Sequence, residues 1–412
     1  MNKYISREMV RIASGKRSKN IVTIALVTAC CLLGDSMLYI ALPIYWREAG
    51  LDGLWQVGVL LAVNRFVRLP LNPVVGKIYG KISLKAGLMF AVFLSIITTV
   101  GYGFAGSFAA WLVLRALWGL AWSFLRIGGL STVSIYGGDN KQGEAMGVYN
   151  GLYRLGSLGG MLGGGLLTPF FGLSWVSIIF GLFSAFGIIL LAAVYKTEKL
   201  KKDPLKKKEK RMSPVSLIQK HALIMGSSFG ITMIIQGVFA ATLSTLIVYH
   251  YGDAVDFWSV AVASAALSGI LQALRWAWEP FLAKQVGIWS DGKKGRIPYL
   301  IGSLFIGAVS FPLLIVSFSP LIWVGVTILA MLVSTALTTL VDARASDEAQ
   351  GQDRVRFFTY YTVIQDLGAA AGPFLGYILI SFAFGYEMLY ILCGGFLFIM
   401  MFLWMRKKSS VH

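Results

Sequence analysis

Residues 173–211 read LSWVSIIFGLFSAFGIILLAAVYKTEKLKKDPLKKKEKR. The first 23 of them, Leu173 to Tyr195, carry no charge. A helix crossing the hydrocarbon of a bilayer takes roughly 20 such residues. The charge then returns abruptly, in Lys196, Lys199, Lys201, Lys202, Lys206, Lys207, Lys208, Lys210 and Arg211. A charge-free run followed by a basic run is the signature of a span that ends at a cytoplasmic surface.

The composition of the whole chain agrees with the local pattern. It has 412 residues, 57% hydrophobic and 14% charged, with mean hydropathy +0.71. Soluble domains carry about 25% charged residues, so this chain cannot cover a water-exposed surface. A soluble enzyme, a disordered chain and a secreted disulfide scaffold are all disfavoured. Cys30, Cys31 and Cys393 lie in apolar runs without metal-ligand spacing, and His221, His250 and His412 are scattered. No metal or other cofactor is expected. The first 20 residues are polar and basic and the first apolar run is long enough to span, so no cleaved signal peptide is expected.

Apolar segments recur at 21–46, 54–79, 83–105, 108–134, 146–171, 173–195, 222–249, 256–289, 297–317, 320–343, 357–382 and 385–405. They are too long for barrel strands, and lipid offers the backbone no hydrogen-bond partner, so they are predicted as twelve transmembrane helices. The net charge of +18 comes from 37 Lys and Arg against 19 Asp and Glu. Its clusters lie at the N-terminus, at Lys77, Lys81 and Lys85, in the central stretch, at Lys293, Lys294 and Arg296, and at Arg406, Lys407 and Lys408. The alternate connections are short and nearly uncharged, such as 105–107, 172–174 and 317–320. This places both termini in the cytoplasm of a multi-pass inner-membrane protein. It also explains the basic charge without nucleic acid. The predicted organisation is a cytoplasmic segment 1–20, a six-helix bundle 21–195, a basic linker 196–221, a second bundle 222–405 and a tail 406–412.

The halves repeat. Gly58 to Gly76 aligns without gaps on Gly269 to Gly287, and Arg154-Leu-Gly156-Ser-Leu-Gly-Gly160 aligns on Asp366-Leu-Gly368-Ala-Ala-Ala-Gly372 at nearly the same offset. Two like-oriented halves are the pattern of a parallel-repeat transporter. Gly287-Ile-Trp-Ser-Asp291-Gly-Lys-Lys-Gly-Arg296 resembles the loop motif of the major facilitator superfamily, with one extra residue before the last Gly-Arg. The first-half copy keeps Gly76 and Lys81 but has Gly80 where the family has Asp. Leu114-Arg115-Ala-Leu-Trp118-Gly119 is similar to the family's Arg-x-x-Gln-Gly motif, with Trp for Gln. The antiporter signature Gly-x-x-x-Gly-Pro-x-x-Gly appears in the eleventh span, at Gly368, Gly372, Pro373 and Gly376. The run Asn64-Arg65-Phe-Val-Arg68-Leu-Pro70-Leu-Asn72-Pro73 resembles a branch of bacterial exporters that includes metallophore exporters. The resemblance implies an all-α membrane fold of two pseudo-symmetric six-helix bundles that rock to give alternating access. It also implies that Gly76, Lys81, Gly287, Asp291, Arg296, Gly372 and Pro373 are conformational elements.

The chemistry is expected where charge sits at membrane depth. An ionisable side chain at the centre of a span costs about 3 kcal/mol on insertion scales, so its presence points to function. Arg115 and Arg126 are eleven residues apart, close to three helical turns, with Trp118 and Trp122 on nearly the same stripe. Asn64, Arg65 and Arg68 lie on the second span and Arg154 on the fifth. Arginine stays charged and bonds carboxylate or phosphate through a planar fork. These eight residues are the candidate substrate contacts. A plain alternative stands beside several of them: Arg115 belongs to a family motif, Arg126 can snorkel, and Arg275 with Glu279 one turn on can neutralise itself. Asp35, Glu279 and Asp366 are the carboxyls available for proton coupling, with Asp35 favoured and Arg68 its expected partner. Residues 287–293 have phosphate-loop spacing, but Lys294 replaces the needed Ser or Thr and no strand precedes it. ATP-driven transport is therefore not predicted.

These readings predict a non-enzymatic, monomeric secondary transporter whose partners are a small-molecule substrate, protons and membrane lipid. The predicted function is proton-driven efflux of a small anionic or zwitterionic metabolite, with an amino-acid-derived metallophore as one candidate. Import of a siderophore or organic anion, multidrug efflux, lipid-headgroup flipping and a non-transporting receptor are the competing readings.

Overall fold

The computed structural model describes residues 2–136, 142–195, 214–257, 260–292, 295–349 and 354–409. The linker expected at 196–221 lies largely outside them. The described chain is mostly helical. In order it runs α1 (Asn2–Ala41), α2 (Leu54–Tyr79), α3 (Leu84–Tyr102), α4 (Phe108–Tyr136), α5 (Gln142–Phe183), α6 (Phe186–Ala193), α7 (Pro214–Lys220) and α8 (Ala222–Thr232). A π-helical segment (Met233–Phe239), α9 (Ala240–Tyr251), β1 (Ala254–Phe257) and β2 (Val260–Ala263) follow. The chain closes with α10 (Ser264–Ser290), α11 (Arg296–Leu313), α12 (Pro320–Glu348), α13 (Arg354–Ile380) and α14 (Gly385–Ser409).

Local chemistry sets several boundaries. The Ser83 side chain accepts from the Ala86 amide and caps α3. Pro320 sits at the start of α12, where its missing N–H costs nothing. Gly172 breaks α5 with φ of +75°, a left-handed conformation that favours glycine, so one long element contains two rods. That break falls between the expected fifth and sixth spans. The expected eighth span begins too early at 256. There β1 and β2 pair as an antiparallel hairpin, and the helix starts only at Ser264. The short apolar runs at 254–257 and 260–263 fit a strand as well as a helix end.

Nine helices among the described residues are long and apolar enough to cross a membrane, against the twelve spans expected. The stretch Ala145–Ala193 counts once despite its break, and α2 and α10 are not among the nine. Both of those carry arginines in mid-helix, which lowers their apolarity.

The chain divides into two compact units. One comprises Met1–Gly50 and Val67–Pro204, the other Leu51–Phe66 and Leu205–His412. The division therefore falls inside α2, whose first half groups with the second unit. In the first unit, α5 lies against α1 through glycine. A Cβ on Gly156 would sit 2.2 Å from the Ala29 carbonyl oxygen, and one on Gly160 2.3 Å from that of Leu33. In the second unit α13 uses the aligned positions. A Cβ on Gly368 would sit 2.3 Å from the Phe229 carbonyl oxygen, and one on Gly372 2.4 Å from both the Gly237 Cα and the Met233 carbonyl oxygen. The sequence repeat thus corresponds to one packing device used twice, small residues that let backbones touch. Gly372→Val is expected to destabilise the protein by about 1–3 kcal/mol or more through overpacking, because the obstruction is backbone. A lowered melting temperature of the purified protein in detergent checks this.

Candidate functional site

The first unit buries an ion pair. Arg115 on α4 is completely buried, and its guanidinium binds the Asp35 carboxylate on α1, which is 14% exposed. The phenols of Tyr102 and Tyr39 also interact with Arg115, and the Tyr102 ring stacks on Trp111 with centroids 5.0 Å apart. The expected partner of Asp35 is Arg68; the structure pairs it with Arg115. A pair so buried is held only if each charge keeps its complement, because an isolated charge there is very costly. Trp118 is buried in the apolar core of the unit with Leu88, Leu125 and Tyr149, so its indole packs between helices.

A second cluster lies on α2, α4 and α5 of the same unit. The Arg68 guanidinium lies over the Trp122 ring, 5.9 Å from its centroid. Trp122 meets Tyr153 edge-on at 6.2 Å, and the Arg126 guanidinium lies over Tyr153 at 5.8 Å. Tyr149 packs on Tyr153 at 5.2 Å and interacts with Arg126. The result is an alternation of guanidinium, indole, phenol and guanidinium. Stacking on rings fixes each planar fork without consuming its N–H donors. One Arg126 nitrogen, Nη1, is buried with no hydrogen-bond partner among the described residues. Arg154 follows Tyr153 on α5 and is half-buried.

In the second unit the expected site residues separate into two groups. Arg65, in the first half of α2, donates to the Gln236 carbonyl of the π segment at 3.5 Å, while Asn64 beside it is buried. Two other helices donate to carbonyls just beyond that segment. Gln272 Nε2 on α10 donates to the Ala240 oxygen at 3.1 Å, and the Tyr377 hydroxyl on α13 to that of Ala241. A π turn disturbs the regular backbone ladder, and side chains from neighbours satisfy the carbonyls it leaves. Arg65 thus reaches the backbone of the π segment. Arg275 is buried with its guanidinium 5.8 Å from the Trp276 centroid, and Glu279 and Asp366 are half-buried.

The loop-motif residues form an ionic network. Arg296 binds Asp291 at 2.8 Å and Asp347 on α12 at 2.8 Å. Glu348 accepts from Lys407 on α14 at 2.7 Å and from Arg344 at 3.2 Å, and pairs with His221 at 3.0 Å. Gly287 lies one helical turn before Asp291 on α10, while Lys293 and Lys294 lie outside the described residues. In the first unit Gly76 and Lys81 are exposed. Gly372 and Pro373 sit where α13 meets the π segment. No group of three or more potential metal ligands occurs among the described residues.

Sequence reasoning missed Tyr149, Tyr153, Gln272, Asp347 and Glu348. Tyr149 and Tyr153 are one turn apart just before Arg154, a detectable signal. Gln272 is an amide in an apolar stretch three residues before Arg275. For Asp347 and Glu348 no local pattern distinguishes a network from an ordinary charged helix end.

Comparison with known proteins adds the family. The model of the Major Facilitator Superfamily matches residues 24–351. The chain belongs to this superfamily. It is thus a multi-pass membrane protein by family. Among relatives, an uncharacterized MFS-type transporter of Methanocaldococcus jannaschii is 25% identical over 381 residues, 89% of this chain and 93% of that protein. The human chromaffin granule amine transporter is 32% identical over 124 residues, 30% of this chain. That match covers only 24% of the amine transporter's length. Solved superfamily structures share the fold. The nucleoside transporter NupG has a TM-score of 0.69 at 14% identity, covering 94% of this chain and 98% of its own. A bacterial homolog of the human lysosomal transporter Spinster, inward-facing and occupied, has a TM-score of 0.71 at 13% identity, with 94% and 96% covered.

Proposed function

We propose that this superfamily member is a secondary transporter that couples proton entry to export of a small anionic or zwitterionic metabolite by alternating access. The observation that carries the reading is the cluster of Arg68, Trp122, Tyr153 and Arg126. Two guanidinium groups held by aromatic rings, one with a free buried donor, suit a substrate with acidic groups and an apolar or planar body. Arg115 is then the partner of the proton carrier Asp35, and Arg154 a further contact for acid. Glu279 and Asp366 are secondary candidates for proton exchange. Asp291, Arg296, Gly372 and Pro373 serve the conformational change, together with Gly76, Lys81 and Gly287.

The basic clusters support two bundles joined by a cytoplasmic linker in the inner membrane, with both termini inside. The antiporter-like run at Gly368 to Gly376 supports export. An amino-acid-derived metallophore is the substrate to test first. The partial likeness to amine transporters favours a second reading, export of an organic amine, and the excess of arginine in the first unit opposes it.

Metabolite profiles of medium and cells separate these readings. The strains are wild type, a deletion, and the deletion carrying Arg68→Ala, grown with and without metal. The proposal expects an acidic metabolite to vanish from the medium and accumulate in deleted cells, unrestored by Arg68→Ala. An amine behaving this way favours the second reading. A compound that deleted cells fail to take up reverses the direction.

A further inference from the structure

Helix α10 carries polar side chains on one stripe, of which the transport reading uses only Glu279. Ser268, Gln272, Arg275 and Glu279 follow at i, i+4, i+7 and i+11, so they share a face. Gln272 is completely buried. Its amide cannot be reversed without losing a bond, because Nε2 donates to the Ala240 carbonyl. That fixes Oε1 as the other end, and Oε1 is buried with no hydrogen-bond partner among the described residues. The Ser268 hydroxyl on the same stripe is likewise buried without one. A buried acceptor left unpaired costs free energy, so the site favours a donor when one arrives.

Arg275 stands one helical turn from Gln272, offering a guanidinium beside that acceptor, and Glu279 one turn further balances the charge. A rise of 1.5 Å per residue puts Gln272 and Arg275 about 4.5 Å apart along the axis. Adjacent turns of one stripe thus offer an acceptor and a guanidinium side by side, the complement of an ammonium and a carboxylate borne on one carbon. The geometry points to an amino-acid-head subsite within the second unit, in which Gln272 Oε1 accepts from the ammonium and Arg275 binds the carboxylate. The proposal rests on the transport reading above and narrows its substrate class to molecules with an α-amino-acid head.

The test uses the purified full chain in lipid nanodiscs and three probes with one skeleton: L-phenylalanine, 3-phenylpropionate and phenethylammonium. Binding is measured calorimetrically up to the solubility of each. The wild type is expected to bind L-phenylalanine about tenfold or more tighter than either singly charged analogue, the worth of a charge-assisted hydrogen bond. Gln272→Leu should lower L-phenylalanine to the level of 3-phenylpropionate and leave 3-phenylpropionate unchanged. Gln272→Glu keeps an acceptor in place and should retain the preference, which covers the case in which Gln272→Leu does not fold. No preference for L-phenylalanine in the wild type overturns the proposal, as does equal weakening of all probes by Gln272→Leu or loss of the preference in Gln272→Glu. Arg126→Ala flux separates the two readings. If flux still depends on Arg126 while the ammonium preference is absent, only this subsite fails; the opposite result removes only the acidic-group reading.

Discussion

Asp35→Asn is expected to abolish proton-driven flux while substrate still binds. The asparagine mimics a carboxyl that never releases its proton, so the cycle stops in one protonation state. It also leaves the wholly buried Arg115 guanidinium without its charge partner. Breaking a buried pair by removing one member costs about 3–5 kcal/mol, so the melting temperature should fall as well. Two effects are thereby mixed, and a second variant separates them. In Asp35→Asn with Arg115→Met, both charges are gone and an apolar chain of similar length fills the space. Replacing a buried pair this way is often neutral or stabilising. The double variant should recover its melting temperature and remain inactive. If it recovers transport too, the pair is only structural, and proton coupling passes to Glu279 or Asp366.

The second large effect belongs to Arg126. Arg126→Ala should weaken apparent affinity for an acidic substrate by about a hundredfold, equivalent to about 2.7 kcal/mol, because truncating one side of a desolvated charge contact typically costs 2–5 kcal/mol. Arg126→Lys should recover little. A lysine keeps the charge but loses the fork and the stacking on Tyr153, 5.8 Å away. Arg68→Lys should behave similarly over Trp122. Concentration-dependent flux is the measurement, with melting temperature as the control for folding. If Arg126→Lys is as active as wild type, the guanidinium plane has no role in recognition.

The contrast between Arg126 and Arg65 shows how far the sequence could be read. Both are arginines at membrane depth, and the cost of burying charge singles out each alike. What separates them is the element each faces: two tyrosines of α5 for Arg126, and a π-helical carbonyl for Arg65. A seven-residue π segment leaves no periodicity that distinguishes it from an α-helix, so this contact of Arg65 was not readable. The same limit applies to Asp35. Depth alone predicts a basic partner but does not reveal Arg115, whose contact depends on how α4 and α1 pack.

The repeat was legible for a physical reason. Gly156 and Gly160, aligned with Gly368 and Gly372, are positions where backbones meet, and no larger residue fits. Apolar length revealed most helices. It was least informative where arginines add polarity, in α2 and α10, and where short apolar runs at 254–257 and 260–263 pair as strands.

The central claim is that outward movement of an acidic metabolite is coupled to inward movement of protons. Inside-out membrane vesicles loaded with a pH-sensitive dye test it most directly, with the metabolite identified from the medium supplied outside. On imposing an acid interior, adding the metabolite should drive its uptake and discharge the pH gradient together, and both signals should vanish in Asp35→Asn. Uptake that proceeds at the same rate without a gradient, or a gradient that does not move when the metabolite does, would contradict it.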